Sequence, residues 1–323
     1  MNKDNIFGLI SDAMSISYQR YNIKNSKSNN TSLFEYDREF IQLQPNNRLI
    51  GFKLNNIKFN MIACPISRVR YEDSIARPHK KKENDREYLI GETEVTQGLF
   101  LSVMGYNPSI FNSGFSGKNK EGIYYNIEYS REDNLLMPVH NINVYEALFF
   151  CNKLSSELGF LPYYDIIIHD YFVGYDKLTR VKTATVHLNG GDGFRLPTDL
   201  EWHLAAEAGT DNVVSGFDIK NDEEAKNSAW LRYNSNGASH KVAQKKPNEW
   251  GIYDMTGNLF EMCQDASSTS DGFEPLLKSS SFITQDLKNQ KNNHFQPTKP
   301  EDVSNRIGFR LAKYYSCLSE TKK

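Results

Sequence analysis

The stretch whose spacing carries the most chemistry is GIYDMTGNLFEMCQD, residues 251–265. It sets Asp254 and Glu261 on either side of a tight turn at Thr256, Gly257 and Asn258. Two carboxylates flanking a glycine turn offer hard oxygen ligands, and exposed turn carbonyls can point the same way; that donor set suits calcium. The same residues also fit an Asx-type turn carrying a glutamate satisfied within the protein. Other chemistries find no support. There is no GxSxG, no P-loop, no HExxH and no histidine pair at helical spacing. The 7 histidines are scattered singly, which is the pattern of structural or surface residues rather than of ligands. Gly190, Gly191 and Gly193 precede a strand-like FRL. A phosphate cradle needs a helix at that point, so these glycines read as a turn.

Four cysteines, Cys64, Cys151, Cys263 and Cys317, form no CxxC pair, which excludes a zinc knuckle and a thioredoxin-type redox motif. Their wide spacing reads as reduced thiols and a cytoplasmic protein. The first residues, MNKDNIFGLISDAM, lack the apolar run and small-residue cleavage site of a secretory signal. With 38 Lys+Arg against 40 Asp+Glu the net charge is -2, which argues against a nucleic-acid partner. Mean hydropathy is -0.60 and no long apolar run occurs, so no membrane span is expected. Oligomeric state is not legible.

Three helices position this chemistry. One opens at Thr96 with Leu99, Phe100 and Val103 on one face and stops at Gly105. A second opens at Asn143 with Glu146 three residues on, a capping-box pattern, and ends at Gly159. Its apolar face runs through Val144, Ala147, Leu148, Cys151, Leu154 and Leu158. The third opens at Thr198 with Glu201 three residues later, turns Trp202, Ala205 and Ala206 inward, and ends at Gly209. A strand pair at 49–52 and 57–63 is split by Asn55-Asn56, a hairpin signal. Residues 1–21 form an amphipathic pattern with Ile6, Leu9, Ile10 and Met14 on one side, and 22–32 is a polar linker. The charge run HKKKENDRE at 79–87 reads as a solvated loop. Short strands punctuated by Gly and Asn connect these elements, which predicts an α+β, loop-rich fold without a βαβ repeat.

Five blocks together carry a family resemblance: GETEVTQGLFLSVMGYNPS (91–109), MPVHNINVYEALFFCNKLS (137–155), GFRLPTDLEWHLAAEAG (193–209), VAQKKPNEWGIYDMTGNLFEMC (242–263) and IGFRLA (307–312). In this order they resemble the formylglycine-generating enzyme family, also called the sulfatase-modifying-factor domain. The resemblance implies a C-type-lectin-like, formylglycine-generating-enzyme-like fold over residues 57–315, after an N-terminal extension at 1–56 and before a tail at 316–323. It also implies a structural calcium held by the side chains of Asp254 and Glu261 and the carbonyls of Gly257 and Leu259. A second family calcium site starts at Asn227 and Ser228, but its remaining ligands fall in a stretch that this chain shortens to LRYNSNGASHK, so it is not carried over.

The resemblance lowers the expectation of catalysis. The family oxidises a substrate cysteine with oxygen, using copper held by two cysteine thiolates, and soft thiolates are what Cu(I) requires. At those positions this chain has Thr284 and Asn289, after Ser279-Ser280-Ser281. Phe260 and Met262 stand where the family has tryptophans, and KNQKNNHFQPTKPED stands where it has arginines. No copper is expected. Cys151 and Cys263 read as small buried hydrophobes. The expected function is a catalytically inactive module that binds a protein or peptide partner through its closing loop, because loops on a rigid scaffold are where binding sits. Ser281, Thr284, Gln285, Asn289, Asn292, Asn293, His294 and Phe295 are the candidate surface. The alternatives are an oxygen-dependent oxidoreductase with a non-standard site, and a lectin-like receptor protein whose loop before IGFRLA is diversified by a retroelement.

Overall fold

The Asn55-Asn56 turn joins two strands, and both asparagines have positive φ, 48° and 68°. That is the requirement of a two-residue hairpin turn whose twist matches its strands. The computed structural model describes residues 40–44, 47–64, 87–111, 116–118, 124–126, 134–209, 222–264, 273, 275–285 and 296–315. The patterns read at 1–21 and 22–32, the charge run except Glu87, Cys317 and the loop residues Asn289, Asn292, Asn293, His294 and Phe295 lie outside them.

In chain order the described strands are β1 (Phe40–Gln44), β2 (Asn47–Leu54), β3 (Ile57–Cys64), β4 (Tyr88–Gly91), β5 (Ser116–Lys118), β6 (Tyr124–Asn126), β7 (Tyr164–Val173), β8 (Thr179–Leu188), β9 (Phe260–Gln264), β10 (Pro275–Lys278), β11 (Gln296–Pro297), β12 (Ile307–Gly308) and β13 (Ala312–Tyr314). The helices are α1 (Gln97–Met104), α2 (Val144–Glu157), α3 (Asp199–Glu207) and α4 (Asp222–Ser228). A five-stranded sheet runs β1-β2-β3-β4-β13, and a four-stranded one runs β11-β10-β9-β12. β12 lies parallel to β9, with Gly308 opposite Glu261, so the closing IGFRLA block sits against the 254–261 turn.

The helix boundaries follow local chemistry. Thr96 caps α1 and Gly105 ends it in the left-handed conformation, φ 85°. Asn143 and Thr198 each accept the amide of their capping-box glutamate, Glu146 and Glu201, whose carboxylates accept the cap amides in return. α3 ends one residue before the expected glycine, at Ala208 with φ 49°. The main core packs α1 and α2 against β2, β3 and β4, with Phe100 stacked on Phe150 at 5.4 Å and Phe309 edge-on to Phe150 at 5.3 Å. A second cluster gathers Cys64, Trp202, Ile252, Met255 and Cys263.

β7 and β8 form a ribbon of two 10-residue strands, longer than the sequence pattern announces. Register shifts near Ile168 and Asp170 break the alternation, and Ile167, Tyr171 and Val173 face outward, so the apolar period is obscured. The glycine turn before α3 is a turn, as read: a Cβ on Gly191 would meet the Pro162 carbonyl oxygen at 2.2 Å.

Candidate functional site

The 254–261 turn is built from three residues with positive φ: Asp254 (57°), Gly257 (83°) and Asn258 (56°). Only glycine fits at 257, where a Cβ would lie 2.3 Å from the backbone oxygen of Trp230. The Gly257 amide donates to Ser280 Oγ at 2.9 Å, tying the turn to the start of the closing loop.

Glu261 leaves this turn along β9 and is fully buried. Its Oε1 accepts from Arg310 Nη2 at 2.5 Å, and its Oε2 accepts from Arg310 Nε at 2.6 Å. Oε2 also accepts the Trp202 indole N–H at 2.6 Å. Arg310 also donates to the carbonyls of Gly91 and Tyr253, each at 3.0 Å. Glu261, expected as a calcium ligand, is thus paired within the protein. Both oxygens are taken by protein donors, and the satisfied-glutamate reading is the one this geometry matches. Asp254 Oδ2 accepts the Ala243 amide at 2.8 Å, whereas Oδ1 is buried without a hydrogen-bond partner. Burial lifts the Asp254 carboxyl to about 6. Among the described residues no cluster of three or more His, Cys, Asp or Glu is arranged to hold a metal. Of the four positions carried over for calcium, Asp254, Gly257, Leu259 and Glu261, Glu261 is paired within the protein and Asp254 keeps one buried oxygen without a hydrogen-bond partner.

Glu94, which sequence reasoning missed, and Asn258, read there only as a turn residue, organise the turn. Glu94 is buried and accepts from Asn258 Nδ2 at 2.7 Å and from the Leu259 amide at 3.0 Å. Burial raises its pKa well above the ordinary value, and the charges of Asp254 and Glu261 add to this. Asn258 joins four segments. Its amide donates to Trp230 O (2.9 Å), its carbonyl accepts from the Phe282 amide (2.8 Å), and its Oδ1 accepts from the His240 amide (2.9 Å). Its Nδ2 reaches both Glu94 and the His240 carbonyl. The available signal was a pair of acids, Glu92 and Glu94, in the block GETEVTQGLF, and an arginine inside IGFRLA.

The candidate recognition residues divide. Ser281 and Thr284 are buried, not surface groups. The Thr284 hydroxyl accepts the Ser281 amide (3.1 Å), the Thr284 amide donates to Ser281 O (2.8 Å), and Thr284 O accepts the Arg232 amide (3.1 Å). A closed turn engages their backbone groups and the Thr284 hydroxyl. Gln285 is exposed, and with its amide oriented to satisfy both partners its oxygen accepts from Arg232 Nη1 (2.9 Å) and Nε (3.2 Å). Tyr233, 46% exposed, lies beside this pair on the 231–237 segment, which sequence reasoning had not included.

Cys64, Cys151 and Cys263 are free and buried, and burial pushes each thiol far up from its ordinary range. His140 is a structural histidine. Its Nε2 accepts the amides of Ile110 (3.0 Å) and Phe111 (3.1 Å), and burial lowers its pKa to about 4.

Residues 55–315 match the family described as the sulfatase-modifying factor enzyme 1-like domain. The chain belongs to this family. Among curated relatives, the chaperone protein LppX of Paenibacillus barcinonensis is 29% identical over 202 residues, covering 55% of this chain and 61% of that protein. The inactive C-alpha-formylglycine-generating enzyme 2 of Bos taurus is 27% identical over 155 residues, 41% of this chain and 51% of that protein. The chain thus spans less than two thirds of either. Among solved structures, variable protein 1 of Treponema denticola is similar at 29% identity and a TM-score of 0.62, covering 84% of this chain and 100% of that one. These matches give the sulfatase-modifying-factor-like chain its fold, α+β and loop-rich. Among the described residues no helix is long and apolar enough to cross a membrane.

Proposed function

We propose that this sulfatase-modifying-factor-like chain is a non-catalytic binding module that engages a protein or peptide partner through the root of its closing loop. The observation that carries the reading is Thr284. It stands where the resemblance puts the first copper-binding cysteine, and it is buried with its hydroxyl accepting the Ser281 amide. A hydroxyl cannot replace a thiolate as a Cu(I) ligand. The described cysteines offer no substitute, because each is fully enclosed and its thiol is held protonated. A relative named inactive supports the same reading. The exposed Arg232, Tyr233 and Gln285 supply a binding face, with Asn289, Asn292, Asn293, His294 and Phe295 following in sequence. Free buried thiols fit a reducing, cytoplasmic location.

The test is anaerobic Cu(I) titration together with oxygen uptake on a Cys-x-Pro-x-Arg peptide. No stoichiometric tight copper and no peptide oxidation are expected. One tightly bound copper per chain, lost on Cys→Ser substitution, would overturn the reading in favour of an oxidoreductase. A second reading, a loop diversified in sequence, is favoured by the similar structure that is named a variable protein. Near-copies of the loop's coding sequence beside the gene would support it.

A further inference from the structure

The turn that the family resemblance marks as a calcium site carries its own cation. Three buried carboxyl groups, on Glu94, Asp254 and Glu261, surround one buried guanidinium, that of Arg310. Arg310 grips Glu261 through two N–H groups at 2.5 and 2.6 Å and bonds to the carbonyls of Gly91 and Tyr253. A calcium ion on Glu261 would need oxygen at about 2.3–2.6 Å, in space flanked by the guanidinium and the Trp202 indole N–H. It would also stand against a fixed positive charge in the buried interior, where charge–charge energies are several times those in water. Displacing Arg310 would strip the Gly91 and Tyr253 carbonyls of a donor, and buried unsatisfied groups are costly.

We propose that in this chain Arg310 replaces calcium. Its guanidinium neutralises Glu261 and fastens β9 to β4 and to the 253–254 segment, while Glu94 clamps the turn through Asn258 and the Leu259 amide. The guanidinium does by hydrogen bonds what a divalent ion would do by coordination. The 254–261 turn is therefore held in place without calcium, and the proposal stands whether or not the closing loop binds a partner.

The experiment is thermal unfolding of the full chain with excess chelator and then with millimolar calcium, for the natural protein, Glu261→Gln and Arg310→Lys. The natural protein should melt within about 1 °C under both conditions. Arg310→Lys keeps the charge but loses the fork, and Glu261→Gln removes the anion. Each should lower the melting temperature by at least about 5 °C, with no response to calcium. A chelator-induced fall in the natural protein that calcium reverses and Glu261→Gln abolishes would overturn the proposal. A fall that persists in Glu261→Gln arises at another site and upholds it. Should the variants fail to fold, calcium titration of the natural protein by calorimetry decides: heat of stoichiometric binding that Asp254→Asn removes would refute it.

Discussion

Asn258→Ala tests the keystone of the turn. The substitution removes three side-chain hydrogen bonds: to Glu94 Oε2 (2.7 Å), to His240 O (3.2 Å) and from the His240 amide (2.9 Å). Leaving the buried Glu94 oxygen unpaired costs roughly 1–3 kcal/mol, and the two bonds to backbone contribute roughly 1 kcal/mol each. Asn258 also has φ 56°, a region that asparagine tolerates and alanine enters at about 1 kcal/mol. The sum is about 4–6 kcal/mol, which for a chain of this size lowers the melting temperature by roughly 10–20 °C. Glycine at 258 loses the same bonds but not the backbone conformation, so Asn258→Gly should be about 1 kcal/mol more stable than Asn258→Ala. Chemical denaturation monitored by tryptophan fluorescence measures both. A loss under about 1 kcal/mol for the alanine variant, or a glycine variant no better than it, would refute the role assigned to Asn258.

Gly257→Ala should cost at least about 2 kcal/mol, since the added Cβ meets the Trp230 backbone oxygen at a left-handed φ; a variant as stable as the natural protein would contradict the packing. His140 has a folded pKa lowered from 6.5 to about 4, so between those values the unfolded chain takes up a proton that the folded one refuses. Its contribution is complete above pH 6.5 and is lost as pH falls towards 4, by about 3 kcal/mol in the difference between the natural protein and His140→Gln. Asp254, lifted from 3.8 to about 6, acts in the opposite sense, favouring the folded state below that window and losing the benefit as pH rises; the difference measurement removes it. A pH-independent difference would show that His140 titrates normally. Arg232 and Gln285 are both exposed, so Arg232→Ala and Gln285→Ala should each leave the melting temperature within about 2 °C while weakening any peptide selected for binding to the natural protein; equal affinity for the variants would place the binding face elsewhere.

Local chemistry was legible without coordinates. Thr96, Asn143 and Thr198 cap helices because a short polar side chain meets an amide three residues on, and that geometry needs no distant partner. Asn55-Asn56 makes a hairpin for the same reason, and Cys151 lies on the helix face that its apolar neighbours define. Five spaced blocks sufficed to recognise the family, since each fixes an element boundary. Spacing could not say what satisfies a carboxylate. Asp254 and Glu261 flank their turn as read, but the groups that decide their chemistry come from far along the chain: Arg310 is 49 residues from Glu261, and Glu94 is 164 residues from Asn258. Ser281 and Thr284 look like loop residues in sequence, yet the 231–235 segment folds over them and leaves Gln285 outside. Caps, turns, core faces and the family follow from local pattern. Which buried charge answers which depends on contacts made across the fold, because a charge taken out of water must find its partner wherever the fold brings one.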